Sequence, residues 1–154
     1  LKQMAQIALQ PIGVVRNDIK EHKRSGWGEV SSTLVLDERL TESLEGLEQF
    51  SHIIVVFWMH QAPAGQRPPA KLHPRGRADL PLVGLFATRA PFRPNSLGVS
   101  VVKLVGIERN VLTVVGLDAM DGTPVIDIKP FMPPLDDPAE VRMPDWVSKI
   151  RTEK

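Results

Sequence analysis

"VSVVKLVGIERNVLTVVGLD" (residues 99–118) holds two β-branched apolar runs, 99–108 and 111–118, separated only by Arg109 and Asn110. A two-residue gap is too short for a crossover, so the runs form an antiparallel hairpin. Outward from this pair, "IGVVRN" (12–17) reads as a short strand. "EVSSTLVLD" (29–37) sets Val30, Ser32, Leu34 and Leu36 on one side of a period of two, again a strand. "HIIVVFWMH" (52–60) is continuously apolar, which predicts a strand buried on both faces. "LVGLFATR" (82–89) predicts another. "PVIDIKPF" (124–131) alternates Val125, Asp127 and Lys129 against Ile126 and Ile128, and its flanking prolines place it at a sheet edge or a strand end.

One helical pattern intervenes. Leu40, Leu44, Leu47 and Phe50 predict a short helix over 39–50 with Thr41 as its N-cap. The tail "PAEVRMPDWVSKIRTEK" (138–154) predicts an amphipathic turn or helix around Val141, Trp146 and Ile150. Most other connections are too short or too proline-rich for the helical crossover of a parallel sheet. The expected fold is mainly β, an antiparallel barrel or strongly coiled sheet with one or two short helices, in a single domain over 1–154.

Composition narrows the function. The formal charge of +1 creates no global field, so a nucleic-acid partner must be met by a local patch. The absence of cysteine removes disulfides, thiolate nucleophiles and cysteine-based metal sites. His22, His52, His60 and His73 are dispersed, so no metal site is expected, and His52 reads as a structural histidine. No secretory signal opens the sequence, and the run Ile53 to Met59 is too short to span a bilayer, which favours a soluble cytoplasmic protein.

Three stretches carry candidate chemistry. "HQAPAGQRPPAKLHPRGRADLP" (60–81) holds His60, Arg67, Lys71, His73, Arg75 and Arg77 before its first carboxylate, Asp79. It is either a functional basic patch or a solvated loop. In "ATRAPFRPNSLG" (87–98), Pro91 and Pro94 rule out a helix between Arg89 and Arg93 and set both arginines on an extended, pre-ordered loop. Fixed guanidiniums recognise carboxylates and phosphates, or serve as an internal staple. "LDAMDGTPVIDIKPFMPPLDD" (117–137) places Asp118, Asp127 and Lys129 at or beside strand ends around the turn pair Asp121-Gly122.

"FATRAPFRPNSLGVSVVKL" (86–104), "DGTPVIDIKPFMP" (121–133) and "FSHIIVVFWMHQ" (50–61) together resemble the TsaA-like, or TrmO, family. The resemblance runs from "PIGVVRN" to about Asp136. It implies a small antiparallel β-barrel, typically homodimeric, with the cofactor site close to the subunit interface. The implied activity is S-adenosyl-L-methionine-dependent N6-methylation of threonylcarbamoyl-adenosine beside the anticodon of certain tRNAs. His60, Gln61, Arg89 and Val99 fall on cofactor-contacting positions. Asp118, Ala119, Met120, Asp121, Gly122 and Thr123 match a loop that reaches the cofactor.

Asp121 and His60 are the candidate bases for the acceptor nitrogen. Arg67, Lys71, Arg75 and Arg77 are expected to meet tRNA phosphates, with Arg93, Asn95 and Lys129 as further RNA candidates. Longer family members continue into an additional small domain thought to help hold the tRNA, and this sequence stops soon after Trp146, so that domain is expected to be absent. Two other readings compete. One is a non-catalytic adenosine- or RNA-binding barrel, for which Phe86, Phe92 and Phe131 are the available stacking residues. The other is methyl transfer to a different acceptor.

Overall fold

The structure is a computed structural model that describes residues 4–62 and 65–151. The six strands β1 (Gly13–Arg16), β2 (Ser31–Leu36), β3 (His52–Trp58), β6 (Leu97–Glu108), β7 (Val111–Val115) and β8 (Pro124–Pro130) close into a barrel in the order β1-β2-β7-β6-β3-β8. Every neighbouring pair is antiparallel, and the Arg109-Asn110 pair joins β6 to β7 as the hairpin reading requires. Closure leaves the barrel sheet itself without an edge, which removes the main aggregation hazard of that sheet.

The interior is filled by alternate residues of these strands. Val15, Leu34, Ile53, Val55, Val102, Leu112, Val114 and Val125 are essentially inaccessible to solvent. Ser32 also faces inward, where its hydroxyl accepts a hydrogen bond from Asn17 Nδ2 at 2.9 Å.

Several elements differ from the sequence reading. β3 is buried on one face: Ile53, Val55 and Phe57 point inward, while His52 and Trp58 are exposed. Barrel closure gives each strand one interior face and leaves the other outside, whatever its hydrophobicity. β8 sits between β3 and β1 rather than at an edge, and its prolines occupy its first and last positions. Its alternation breaks at a bulge, where Val56 pairs with Asp127 and Phe57 with Val125. Skipping Ile126 brings both Val125 and Ile128 to the core.

The 82–89 strand shrinks to β5 (Val83–Gly84), because its partner β4 (Lys71–Leu72) lasts only two residues. A 3-10 turn, Leu85–Ala87, follows. The expected helix over 39–50 is two 3-10 segments, Glu38–Leu44 and Leu47–Gln49, with Gly46 at φ 86° between them. Its N-cap is Asp37, whose carboxylate accepts from the Arg39 amide and is lowered to about 2 chiefly by the hydrogen bond from the Arg39 side chain. Thr41 lies inside the segment and donates its hydroxyl to the Glu38 carbonyl at 2.7 Å.

Two short α-helices close the chain, α1 (Pro133–Asp136) and α2 (Trp146–Arg151). Trp146 and Ile150 lie in α2, and Val141 lies outside it. Residues 63–64 of the long basic connection and 152–154 of the tail motif lie outside the described residues. No described helix is long and apolar enough to cross a membrane.

Candidate functional site

One end of the barrel opens into a cleft of about 700 Å³, within the size range of small-molecule sites. Its floor is apolar: Phe57 from the end of β3, Leu97 and Gly98 from the start of β6, and Ala119 after β7. Antiparallel pairing puts the end of β3 beside the start of β6, since Phe57 pairs with Gly98 and Trp58 with Leu97. Met59, His60, Gln61 and Ala62 continue from β3 along one wall.

Thr88, Arg89, Pro91 and Arg93 line the cleft from the proline-stiffened loop, but the two arginines differ in use. Arg93 Nη1 donates to the Thr88 carbonyl at 2.8 Å and the Ala90 carbonyl at 3.3 Å, so it ties the loop to itself. Its guanidinium carbon also lies 5.6 Å from the centre of the Phe86 ring. No carboxylate among the described residues pairs with Arg89, whose exposed side chain is therefore available to an anion.

The opposite wall is the loop after β7. Asp118, Ala119, Met120 and Thr123 line the cleft, and the Asp118 carboxylate accepts from Ser100 Oγ. This loop is stitched to the end of β1. Gly122 N–H donates to the Val15 carbonyl at 2.8 Å, Asp121 N–H to the Ile19 carbonyl at 2.9 Å, and Asn17 Nδ2 to the Ala119 carbonyl at 2.8 Å.

Asp121 and Gly122 are not among the lining residues. The Asp121 carboxylate accepts from the Asn17 amide at 3.1 Å and from Lys20 Nζ at 2.5 Å. The Lys20 hydrogen bond first, then the Asn17 amide, holds its carboxyl below the usual 3.8. A lowered folded-state pKa stabilises the fold fully above the ordinary carboxylate range, and that contribution is lost as pH falls through the folded value. Denaturation followed from about pH 6 down to about pH 3 should show a steeper loss for the native chain than for Asp121→Asn. Equal slopes would mean that this latch does not titrate with folding.

Past Ala62, the cationic residues of the basic connection do not line the cleft. Arg77 forks onto Asp79 at 2.7 and 3.1 Å and donates to the Lys149 carbonyl at 3.2 Å, tying the connection to α2. Arg75 sits at φ 54°, and Lys71 stands on β4. Arg67 borders a second, open groove of about 470 Å³ beside Phe86. Asn95 accepts the Leu97 amide through its backbone carbonyl, and Lys129 pairs with Asp127 at 2.9 Å on the barrel exterior. His52 is exposed and bonded to Ser51 Oγ at 2.8 Å, while His73 Nδ1 donates to the Leu80 carbonyl at 2.7 Å.

Sequence reasoning missed His22 and Trp27, which complete the cleft from the long connection between β1 and β2. Trp27 Nε1 donates to the Lys23 carbonyl at 2.9 Å, and Lys23 Nζ lies 4.9 Å from the centre of the indole ring. An isolated tryptophan among Lys20, His22, Lys23 and Arg24 was the available signal.

Residues 21–137 match the family model described as tRNA-methyltransferase O N-terminal domain. A probable S-adenosyl-L-methionine-binding protein of Pyrococcus abyssi is 36% identical over 149 residues, covering 93% of this chain and 77% of that protein. The tRNA (adenine(37)-N6)-methyltransferase of Escherichia coli K12 is 36% identical over 145 residues, covering 84% of this chain and 60% of the enzyme. A crystal structure of TrmO from Pseudomonas aeruginosa superposes with a TM-score of 0.72 at 37% identity, covering 90% of this chain and 62% of that one.

Proposed function

The chain belongs to the tRNA-methyltransferase O N-terminal domain family, and from that premise we propose that it is an S-adenosyl-L-methionine-dependent tRNA methyltransferase acting on N6 of threonylcarbamoyl-adenosine beside the anticodon. The observation that carries this reading is the cleft itself: an apolar floor next to a guanidinium that no described carboxylate pairs. These residues fit the cofactor. Phe57, Met59 and Leu97 suit its apolar surfaces, Arg89 its methionine carboxylate, and Asp118 its ribose hydroxyls or its sulfonium charge.

When bound, S-adenosylmethionine supplies an activated methyl group on a sulfonium sulfur. What the chain adds is mainly position and exclusion of water. The N6 nitrogen is a poor nucleophile because its lone pair is delocalised into the carbamoyl group. Methylation at N6 would require its proton to leave, to a group of this chain within reach of the acceptor. His60, on the cleft wall, is the base in this proposal. Asp121 acts through the loop it anchors, because its carboxylate is already bonded to Lys20 and Asn17. Titration with S-adenosylmethionine tests the cofactor assignment: saturable binding at one site per chain, competed by S-adenosylhomocysteine, is expected, and no binding would contradict it.

The protein also acts as a homodimer in this reading, in the cytoplasm with its tRNA. The outer face of β3 and β6 exposes Val99 (56%), Val101 (49%), Val105 (58%) and Trp58 (38%), an apolar strip suited to a second copy. Val99 lines the cleft as well, so a partner seated there would lie beside the cofactor. Val101→Asp should halve the mass measured by light scattering while the circular dichroism spectrum stays that of the folded barrel, and the concentration dependence of the unfolding midpoint should disappear. A native chain that is already monomeric would overturn the dimer.

A further inference from the structure

Phe86 is the least expected side chain on this surface: a phenylalanine 78% exposed on a loop otherwise held rigid. It borders the open groove of about 470 Å³ formed with Arg67, Pro68, Pro69, Leu85 and Pro94. The Arg93 guanidinium packs near its ring and also lines the cofactor cleft, so cleft and groove share a wall. The Arg93 bonds to the Thr88 and Ala90 carbonyls fix that wall, and the ring is held in place without being covered.

The geometry points to this groove as the seat of an unpaired nucleotide flanking the methylated adenosine, its base stacked on Phe86 and its phosphate held by Arg67. This rests on the tRNA methyltransferase reading above and adds a subsite to it. A base stacks on any exposed aromatic face, and a guanidinium packed against the ring reinforces the platform. The charge matches at the groove itself, where Arg67 lines the wall, and Lys71 and Arg75 follow it in the connection while Arg77 is held by Asp79. Prolines forming the groove keep its shape without an ordering cost on binding. A target base drawn into the cleft leaves its neighbour at the rim, where Phe86 stands.

The test uses the full chain and an anticodon stem-loop RNA carrying threonylcarbamoyl-adenosine on the 3′ side of the anticodon. Phe86→Ala should weaken binding by roughly 5- to 150-fold, raising KM for RNA while kcat at saturation and S-adenosylmethionine affinity stay unchanged. Phe86→Trp should restore binding. A stem-loop made abasic at the flanking nucleotide should lose affinity for the native chain but not for Phe86→Ala. Arg67→Ala should lower the slope of log affinity against log salt by about 0.7.

Unchanged RNA affinity in Phe86→Ala with methylation intact would overturn the subsite and leave the methyltransferase reading standing. A change in oligomeric mass without a change in RNA affinity would assign Phe86 to a protein contact and overturn it too. A native chain that neither binds nor methylates tRNA would overturn the underlying reading as well.

Discussion

Arg89→Ala is expected to weaken S-adenosylmethionine binding by about 10- to 100-fold, the range for losing hydrogen bonds to a charged group. Its unfolding midpoint should match that of the native chain, because Arg89 is exposed and pairs with no described carboxylate. Arg89→Lys keeps the charge but loses the planar fork and should recover only part of the affinity. Arg93→Ala should differ by lowering stability as well. It removes the bonds to the Thr88 and Ala90 carbonyls, so the loop loosens and stability falls along with affinity. Calorimetric titration and thermal denaturation of the three variants separate the roles. Equal losses of cofactor affinity with unchanged stability in Arg89→Ala and Arg93→Ala would contradict the division.

Gly98→Ala is the second large effect, on stability and binding together. A Cβ at Gly98 would stand 2.4 Å from Cε2 and Cζ of the Phe57 ring, well inside any real contact. Phe57 is only 4% exposed and lines the cleft from its buried side, so the ring cannot move without disturbing both core and cleft. Overpacking of this kind costs about 1–3 kcal/mol. Chemical denaturation should show that loss, and cofactor affinity should fall with it. Gly98→Ala/Phe57→Leu, which removes the ring atoms that clash, should regain most of the stability. Native stability in the single variant would mean the ring has room that its packing against Gly98 denies.

The hairpin of β6 and β7 was legible because two β-branched runs flank a gap too short for anything else. Closure was not, since periodicity describes each strand's faces and is silent on which strands become neighbours. For that reason β3 read as doubly buried, and the prolines of β8 left both a sheet edge and a strand end open, of which the strand ends are where they stand. The bulge opposite Val56 and Phe57 shifted the phase of β8 in a way that simple alternation misses. The helical spacing over 39–50 was real in that Leu44 is buried and Leu47 packs on the core, but Gly46 split the segment into 3-10 turns.

The site divides similarly. Residues contiguous in a motif, such as His60 with Gln61 and Asp118 to Met120, were legible and meet in one cleft. His22 and Trp27 arrive from a loop without periodicity, and only the folded chain shows where such a loop turns. The two arginines looked alike as residue types, and only the family resemblance set Arg89 apart as a cofactor contact. Carbonyl oxygens, which sequence reasoning cannot place, distinguish the staple from the free cation.

Methyl transfer to the modified adenosine is tested most simply by incubating the chain with methyl-labelled S-adenosylmethionine and total tRNA from cells with and without the threonylcarbamoyl modification. Label is expected in the modified pool alone, at N6 of the modified adenosine. Binding of the cofactor with no label in either pool would contradict the enzyme assignment, and equal label in both pools would contradict the acceptor.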